Sequence, residues 1–326
     1  MVTGAPKRLS RIVSLASAMT LGLAAIMPTS TMAAAYASPQ PPASHWITST
    51  NYRYPGNDGK HHAVSWDKYS YMIDDHHLNI WSGEVHYWRL PSPHQWRDVL
   101  QKMKAAGFNA VSFYFFWGYH QSAPDSPFDF SGIRNIDLLL RMAAEEGLYV
   151  IARPGPYINA EISMGGMPAW QTNSSLPLRN AWDNTNWQQQ RAWLHAVNKI
   201  IARHQVTNGG GSVLLYQVEN EELASVGPYA DYVKKIIKAA KEDGINVPIF
   251  HNDYAPVGNW AFTTKDTGLD VYSYDDYPIR FDCSATRHKL QDHNWHIDPA
   301  FRAAHHTPHF IAEAQGGAFT PWGASF

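Results

Sequence analysis

A single cysteine, Cys283, stands in the 326 residues, so no internal disulfide framework holds this chain together. Metal-binding patterns are missing as well. The 17 histidines include no His-Glu-x-x-His run and no Cys/His cluster, and the pairs at 61–62, 76–77 and 305–306 read as surface histidines, so neither a metal nor a cofactor is expected. Strong charge of either sign is absent, since the formal net charge is −2, and a nucleic-acid partner is not expected. Beyond the first 40 residues no apolar run is long enough to cross a bilayer, so no membrane partner is expected. No Gly-rich phosphate turn follows the first strand, which argues against an open, doubly wound nucleotide-binding sheet. Nothing in the composition sets the oligomeric state.

What the chain does have begins with an export pattern. Lys7, Arg8 and Arg11 precede an Ala/Leu-rich apolar segment at 12–27, and Ala35-Tyr36-Ala37 fits a small-x-small cleavage site. Residues 1–37 are therefore read as a secretory signal peptide, 38–65 as a linker opened by Pro39-Gln40-Pro41-Pro42, and 66–326 as one catalytic domain. The expected location is extracellular or periplasmic. A chain 44% hydrophobic and 13% aromatic at this length suits one large α/β domain.

From residue 66 the pattern alternates strand and helix. Strands are expected at 78–90, 108–117, 148–153, 213–218, 247–250, 269–274 and 308–314. Helices are expected at 94–106, 136–146, 186–204 and 229–243, with Gly107, Gly147 and Gly244 closing three of them. A long irregular insertion, 157–181, is of the kind that carries function. Seven strands in βα alternation point to a (β/α)8 TIM-type barrel.

In such barrels the chemistry sits where strands stop. The fourth strand, SVLLYQVENEE at 212–222, runs apolar and then ends in Glu219, Asn220, Glu221 and Glu222. The seventh, PHFIAEAQGG at 308–317, delivers Glu313 in the same way. Two strand-end glutamates far apart in sequence are what two-carboxylate glycoside chemistry needs. Thirteen residues follow Glu313, whereas one helix commonly takes about 11–12. The barrel is thus expected to be incomplete after its seventh strand, as in a piece of a longer enzyme.

These stretches resemble the glycoside hydrolase family 35 β-galactosidases. The resemblance is carried by WSGEVHYWRLP at 81–91, by residues 108–114, by GPYINAE at 155–161, by 209–221, and by AEAQGGAFTPW at 312–322, in that order. It implies a retaining exo-enzyme that removes terminal β-linked galactose from an oligo- or polysaccharide through a covalent galactosyl-enzyme. Residue by residue it puts the general acid/base at Glu221, the nucleophile at Glu313, the partner of the sugar 2-hydroxyl at Asn220, and a galactose pocket at Tyr114, Asn159, Ala160, Glu161 and Tyr277. Physical reasoning is compatible. Retaining sites hold two carboxyls roughly 5–5.5 Å apart, and the acid/base must stay protonated while the nucleophile ionises.

Plainer roles are weighed beside these. Glu84, His86 and Arg89 are expected to support the first strand as a buried polar network rather than to contact substrate, Glu222 to be a strand-end charge, and Tyr277 has a turn-aromatic alternative. The other function classes are a related retaining β-glycosidase of different specificity and a non-catalytic sugar-binding fragment. The chain departs from the family pattern at Ser212, where a proline is usual, at Glu222, where an aromatic is usual, and at Cys283, whose usual partner is missing. Asn173-Ser174-Ser175 is a glycosylation sequon if the source is eukaryotic.

Overall fold

The computed structural model describes residues 58–173, 178–261, 264–277 and 307–314. The signal-peptide reading, most of the linker, Ser174-Ser175 of the sequon, Cys283 and the end of the last motif lie outside the described residues.

Two sheets are present among the described residues. The first is a small antiparallel meander of β1 (Val64–Trp66), β2 (Tyr71–Ile73) and β3 (His76–Leu78). It starts within the stretch read as linker and was not anticipated from the sequence. The second contains seven parallel strands in chain order: β4 (Ser82–Glu84), β5 (Ala110–Tyr114), β6 (Tyr149–Arg153), β7 (Val213–Gln217), β8 (Ile249–Asp253), β9 (Val271–Asp276) and β10 (Ile311–Ala314). Sequential order with parallel pairing is what a (β/α)8 barrel requires, and β4 and β10 are its two open edges. Among the described residues the sheet has the seven parallel strands expected of the barrel.

Helices α1 (Pro93–Ala105), α3 (Ile136–Glu145), α4 (Asn184–Arg203) and α5 (Gly227–Glu242) follow β4 to β7 and neighbour one another in that order outside the sheet; α2 (Trp117–His120) is a single turn. Their boundaries follow from local chemistry. Ser92 accepts from the Gln95 N–H and Pro93 opens α1, while Asn135 and Asp183 cap α3 and α4 through the N–H groups of Leu138 and Asn186. Gly107 and Gly147 follow α1 and α3 with φ of +94° and +68°, a conformation that side chains with a Cβ resist.

The long strand expected at 78–90 is not formed. The chain leaves the meander after β3, contributes three residues to the barrel, and turns through a 3₁₀ helix at Tyr87–Arg89. The reason lies in Trp96, whose buried indole N–H reaches the carbonyls of Tyr87 (3.1 Å) and Leu90 (3.3 Å), so those carbonyls need no neighbouring strand. The strand expected at 108–117 likewise stops at Tyr114, because Trp117 begins α2.

The interior divides along the strand axis. Ala110, Tyr149, Leu214, Phe250 and Val271, near the N-terminal starts of their strands, cluster with Tyr71 and Ile73 of the meander and with Phe310. The meander thereby plugs one end of the barrel and leaves the other for polar groups.

Candidate active site

Each strand of the barrel carries a polar side chain at or next to its opposite end. Arg153 closes β6 and is 1% exposed. Its Nη1 donates to Glu84 Oε2 (2.9 Å), and its Nη2 donates to Asn220 Oδ1 (3.0 Å) and to Glu313 Oε1. The guanidinium also lies 3.9 Å from the ring centre of Tyr114. A buried cation survives only with such partners.

Glu313 is the focus of donors. Its Oε1 accepts from Arg153 and the Tyr114 hydroxyl, its Oε2 accepts from the Tyr277 hydroxyl, and Asn252 Nδ2 lies 3.4 Å from Oε1. Burial alone raises a carboxyl's pKa. Here the adjacent guanidinium and the two phenols more than offset it and hold Glu313 below its ordinary value. Both phenols are pushed upward by burial, so they stay protonated and act as donors.

Glu221 has the opposite surroundings. It follows β7 in a loop where Glu219 and Glu221 take φ of +59° and +49°. Backbone strain of this kind at non-glycine residues gathers at functional sites. Its Oε2 accepts from Asn220 Nδ2 (3.2 Å) and from Asn159 Nδ2 at 3.5 Å, a long contact, while its N–H donates to Asn252 Oδ1 (3.3 Å). Burial first, and the negative charge of Glu313 second, raise its pKa above the ordinary value. Asn220 is fully enclosed, with Oδ1 accepting from Arg153, Gln217 and Asn252 and lying 2.8 Å from the Tyr114 hydroxyl.

The other residues read from the sequence lie near one another. Asn159, Ala160 and Glu161 form a run of left-handed residues, φ +53°, +53° and +49°. Arg89 Nη2 donates to the Ala160 carbonyl (2.9 Å) and holds this run in place. With Tyr114, Tyr277, Glu84 and Glu313 these three line a cleft of about 790 Å³ that continues down between the edge strands β4 and β10. Burial, helped by the charge of Glu313, raises the pKa of Glu161.

The buried network expected of Glu84, His86 and Arg89 is not formed: Glu84 and Arg89 are exposed, Glu84 bonds His86 (2.6 Å) and Arg153, and Arg89 instead bonds the Ala160 carbonyl. Glu222 is more than a strand-end charge. It is buried, its N–H donates to His251 Nε2 (3.0 Å), and its carboxylate lies 3.4 Å from Arg179 Nε. Arg179 also grips Glu219 through two bonds and the Asn220 carbonyl at 2.6 Å, so it fastens the loop that presents Glu221.

Sequence reasoning missed Arg153, Asn252, Asp275, Gln217 and Arg179. The first four sit at or next to the ends of their strands, but none is a glutamate, and only the sheet register brings them beside Glu313 and Asn220. Arg179 lies in the insertion, where no periodicity marks it. Among the described residues no group of three His, Cys, Asp or Glu side chains is placed to hold a metal ion, and no helix is long and apolar enough to cross a membrane.

Comparison with known proteins bears directly on this arrangement. The chain is 40% identical over 282 residues to a probable beta-galactosidase C of Aspergillus fumigatus, covering 83% of this chain and 28% of the relative. It is 38% identical over 288 residues to a probable beta-galactosidase C of Aspergillus flavus, covering 86% of this chain and 29% of the relative. The chain therefore spans less than a third of the length of these relatives. The exo-beta-1,4-mannosidase Op5Man5 from Opitutaceae bacterium strain TAV5 shares the fold, with a TM-score of 0.52 at 14% identity over 73% of this chain and 52% of that one. The family model for glycosyl hydrolases family 35 matches residues 70–326, nearly the whole barrel, and the chain belongs to that family.

Proposed function

We propose that this chain carries the catalytic barrel of a retaining exo-β-galactosidase, with Glu221 as general acid/base and Glu313 as nucleophile. One observation carries the reading: two carboxyls at one strand-end site have surroundings that drive their pKa values apart. Burial and a like charge raise the pKa of Glu221, whereas Arg153, Tyr114 and Tyr277 hold that of Glu313 below its ordinary value despite burial. Opposed carboxyls are the signature of an acid and a nucleophile sharing one site.

The reaction follows from these states. Glu313 attacks the anomeric carbon while Glu221 gives its proton to the departing glycosidic oxygen, and a glycosyl-enzyme forms on Glu313. Glu221, now ionised, takes a proton from water, which attacks the same carbon and releases the sugar with its configuration retained. Asn220 meets the sugar 2-hydroxyl, and Asn159, Ala160, Glu161 and Tyr277 line the galactose pocket. A carboxylate and an amide fixed in place reject an epimer by leaving polar groups unpaired, which favours galactose over glucose. The names of the relatives support β-galactosides as substrate, and the basic-then-apolar N-terminus supports export.

The test is hydrolysis of a chromogenic β-galactoside, with a β-glucoside in parallel, by the wild-type chain and by Glu221→Ala and Glu313→Gly with azide added. Each variant should lose on the order of 10⁴-fold or more without azide. Azide should rescue Glu221→Ala with a β-glycosyl azide and Glu313→Gly with the α-anomer. The same anomer from both would contradict the assigned roles, and preference for the glucoside would contradict the substrate.

A further inference from the structure

One buried imidazole, that of His251, has no part in the mechanism as stated. Strands β7 and β8 pair as far as the Val218 N–H, which donates to the Phe250 carbonyl at 2.9 Å. Beyond that point the chain leaves the ladder, and the side chains of the next two residues of β8 stand in for its carbonyls. The Glu221 N–H donates to Asn252 Oδ1 (3.3 Å), and the Glu222 N–H donates to His251 Nε2 (3.0 Å). Adjacent residues of a strand point to opposite faces, so these two successive N–H groups are taken on either side of β8. The Glu222 carbonyl accepts from the Trp260 indole N–H, and the Trp260 ring packs on that of His251 with centres 4.7 Å apart. His251, Asn252 and Trp260 are all buried.

The Glu222 amide fixes the state of this imidazole. An amide N–H can only donate, so His251 Nε2 must present a lone pair. The neutral ring then carries its proton on Nδ1, which meets no acceptor among the described residues. The other tautomer and the imidazolium would each set N–H against N–H at Nε2 and lose the bond. Burial, followed by the positive charges of Arg179 and Arg153, also disfavours the imidazolium and lowers the pKa of His251 to about 3.

We propose that His251, neutral with its proton on Nδ1, is a positioning residue for Glu221, holding through Nε2 the peptide that joins Glu221 to Glu222. This rests on the reading of Glu221 as acid/base. Glu221 takes a φ of +49°, a conformation that persists in a residue with a Cβ only when its surroundings over-determine it. Asn252 holds the N–H on one side of Glu221 and His251 holds the N–H on the other. Because each peptide is planar, both backbone angles of Glu221 are pinned. The aim of its carboxyl is set with them, and a displacement of about 1 Å at a reacting group costs on the order of 10²-fold in rate. Asn252 is shared with Gln217, Asn220 and Asp275, whereas the His251 ring makes no other hydrogen bond among the described residues.

His251→Gln and His251→Met separate positioning from packing. Both replace the ring by an unbranched side chain of similar length, and only glutamine brings a strong acceptor to the place of Nε2. On a chromogenic β-galactoside, His251→Gln should keep kcat within about threefold of wild type. His251→Met should have kcat about tenfold below that of His251→Gln, with KM little changed. Equal kcat per folded molecule in the two variants, with both less stable in denaturant, would mean that the ring only packs, and would overturn the proposal. A second readout needs neither turnover nor a variant. In nitrogen-15-labelled wild type at neutral pH, a coupling across the hydrogen bond should link the Glu222 amide nitrogen to an unprotonated His251 Nε2. A proton on Nε2, or no such coupling, would overturn the proposal. Should the wild-type chain hydrolyse no β-galactoside, the galactosidase reading fails, while the nitrogen spectrum still decides the state of His251.

Discussion

At their N-terminal ends the barrel strands bury Ala110, Tyr149, Leu214, Phe250 and Val271 against Tyr71 and Ile73 of the meander. At their C-terminal ends the same strands carry Glu84, Tyr114, Arg153, Gln217, Asn252, Asp275 and Glu313. One end is held by packing that needs no partner beyond its own shape. The other is held by hydrogen bonds in which Asn220, Asn252 and Arg153 each serve several neighbours. A buried polar cluster of this kind is stable only when nearly every member is satisfied, so each substitution at that end is felt by several residues. The lesson is that stability and proton chemistry are separated along one axis of the molecule, and each end should answer to a different measurement.

The largest departure is expected from Arg153→Met, at the polar end. Glu313 would keep its burial and lose its cation, so its pKa should rise and the acid limb of the pH profile should move to higher pH, with kcat/KM down about 10²–10³-fold. The pH dependence of folding should change in step. A carboxyl with a depressed folded pKa contributes stability above its ordinary value of 4.5, and that contribution is lost as pH falls through the folded value. Without Arg153 the contribution should disappear, which melting curves across the acid range would show. An acid limb left in place would mean that the two phenols alone hold Glu313 ionised.

A smaller and different effect is expected from Phe250→Ala, at the apolar end. Phe250 packs against Phe310 with ring centres 4.9 Å apart and is 1% exposed. Its removal should cost about 3–5 kcal/mol of folding stability, read by denaturant unfolding, and leave both pH limbs where they are. A moved limb would show that the two ends are mechanically coupled.

Much of this arrangement was legible in the sequence. The alternation of apolar runs with helical periodicity specified the barrel and the order of its seven strands, and abrupt charge at strand ends singled out Glu221 and Glu313. Three features were not legible, for physical reasons. The meander strands are three residues each, too short for a period to show. The run at 78–90 has strand-like composition throughout, and only the tertiary placement of Trp96 turns its second half into a 3₁₀ helix. Arg153 is a single polar residue closing an apolar strand, and Asp275 is one of two adjacent aspartates ending β9. Their importance comes from meeting Glu313 across the sheet, a contact set by register that no local pattern encodes.

The central claim is that one site holds two glutamates in opposite states at one pH. Carbon-13 NMR of labelled side-chain carboxyls, assigned by comparison with Glu221→Gln and Glu313→Gln, measures this directly and without turnover. Glu221 should titrate above the ordinary 4.5 and Glu313 below it. Titration of both near that ordinary value, or in the reverse order, would contradict the account.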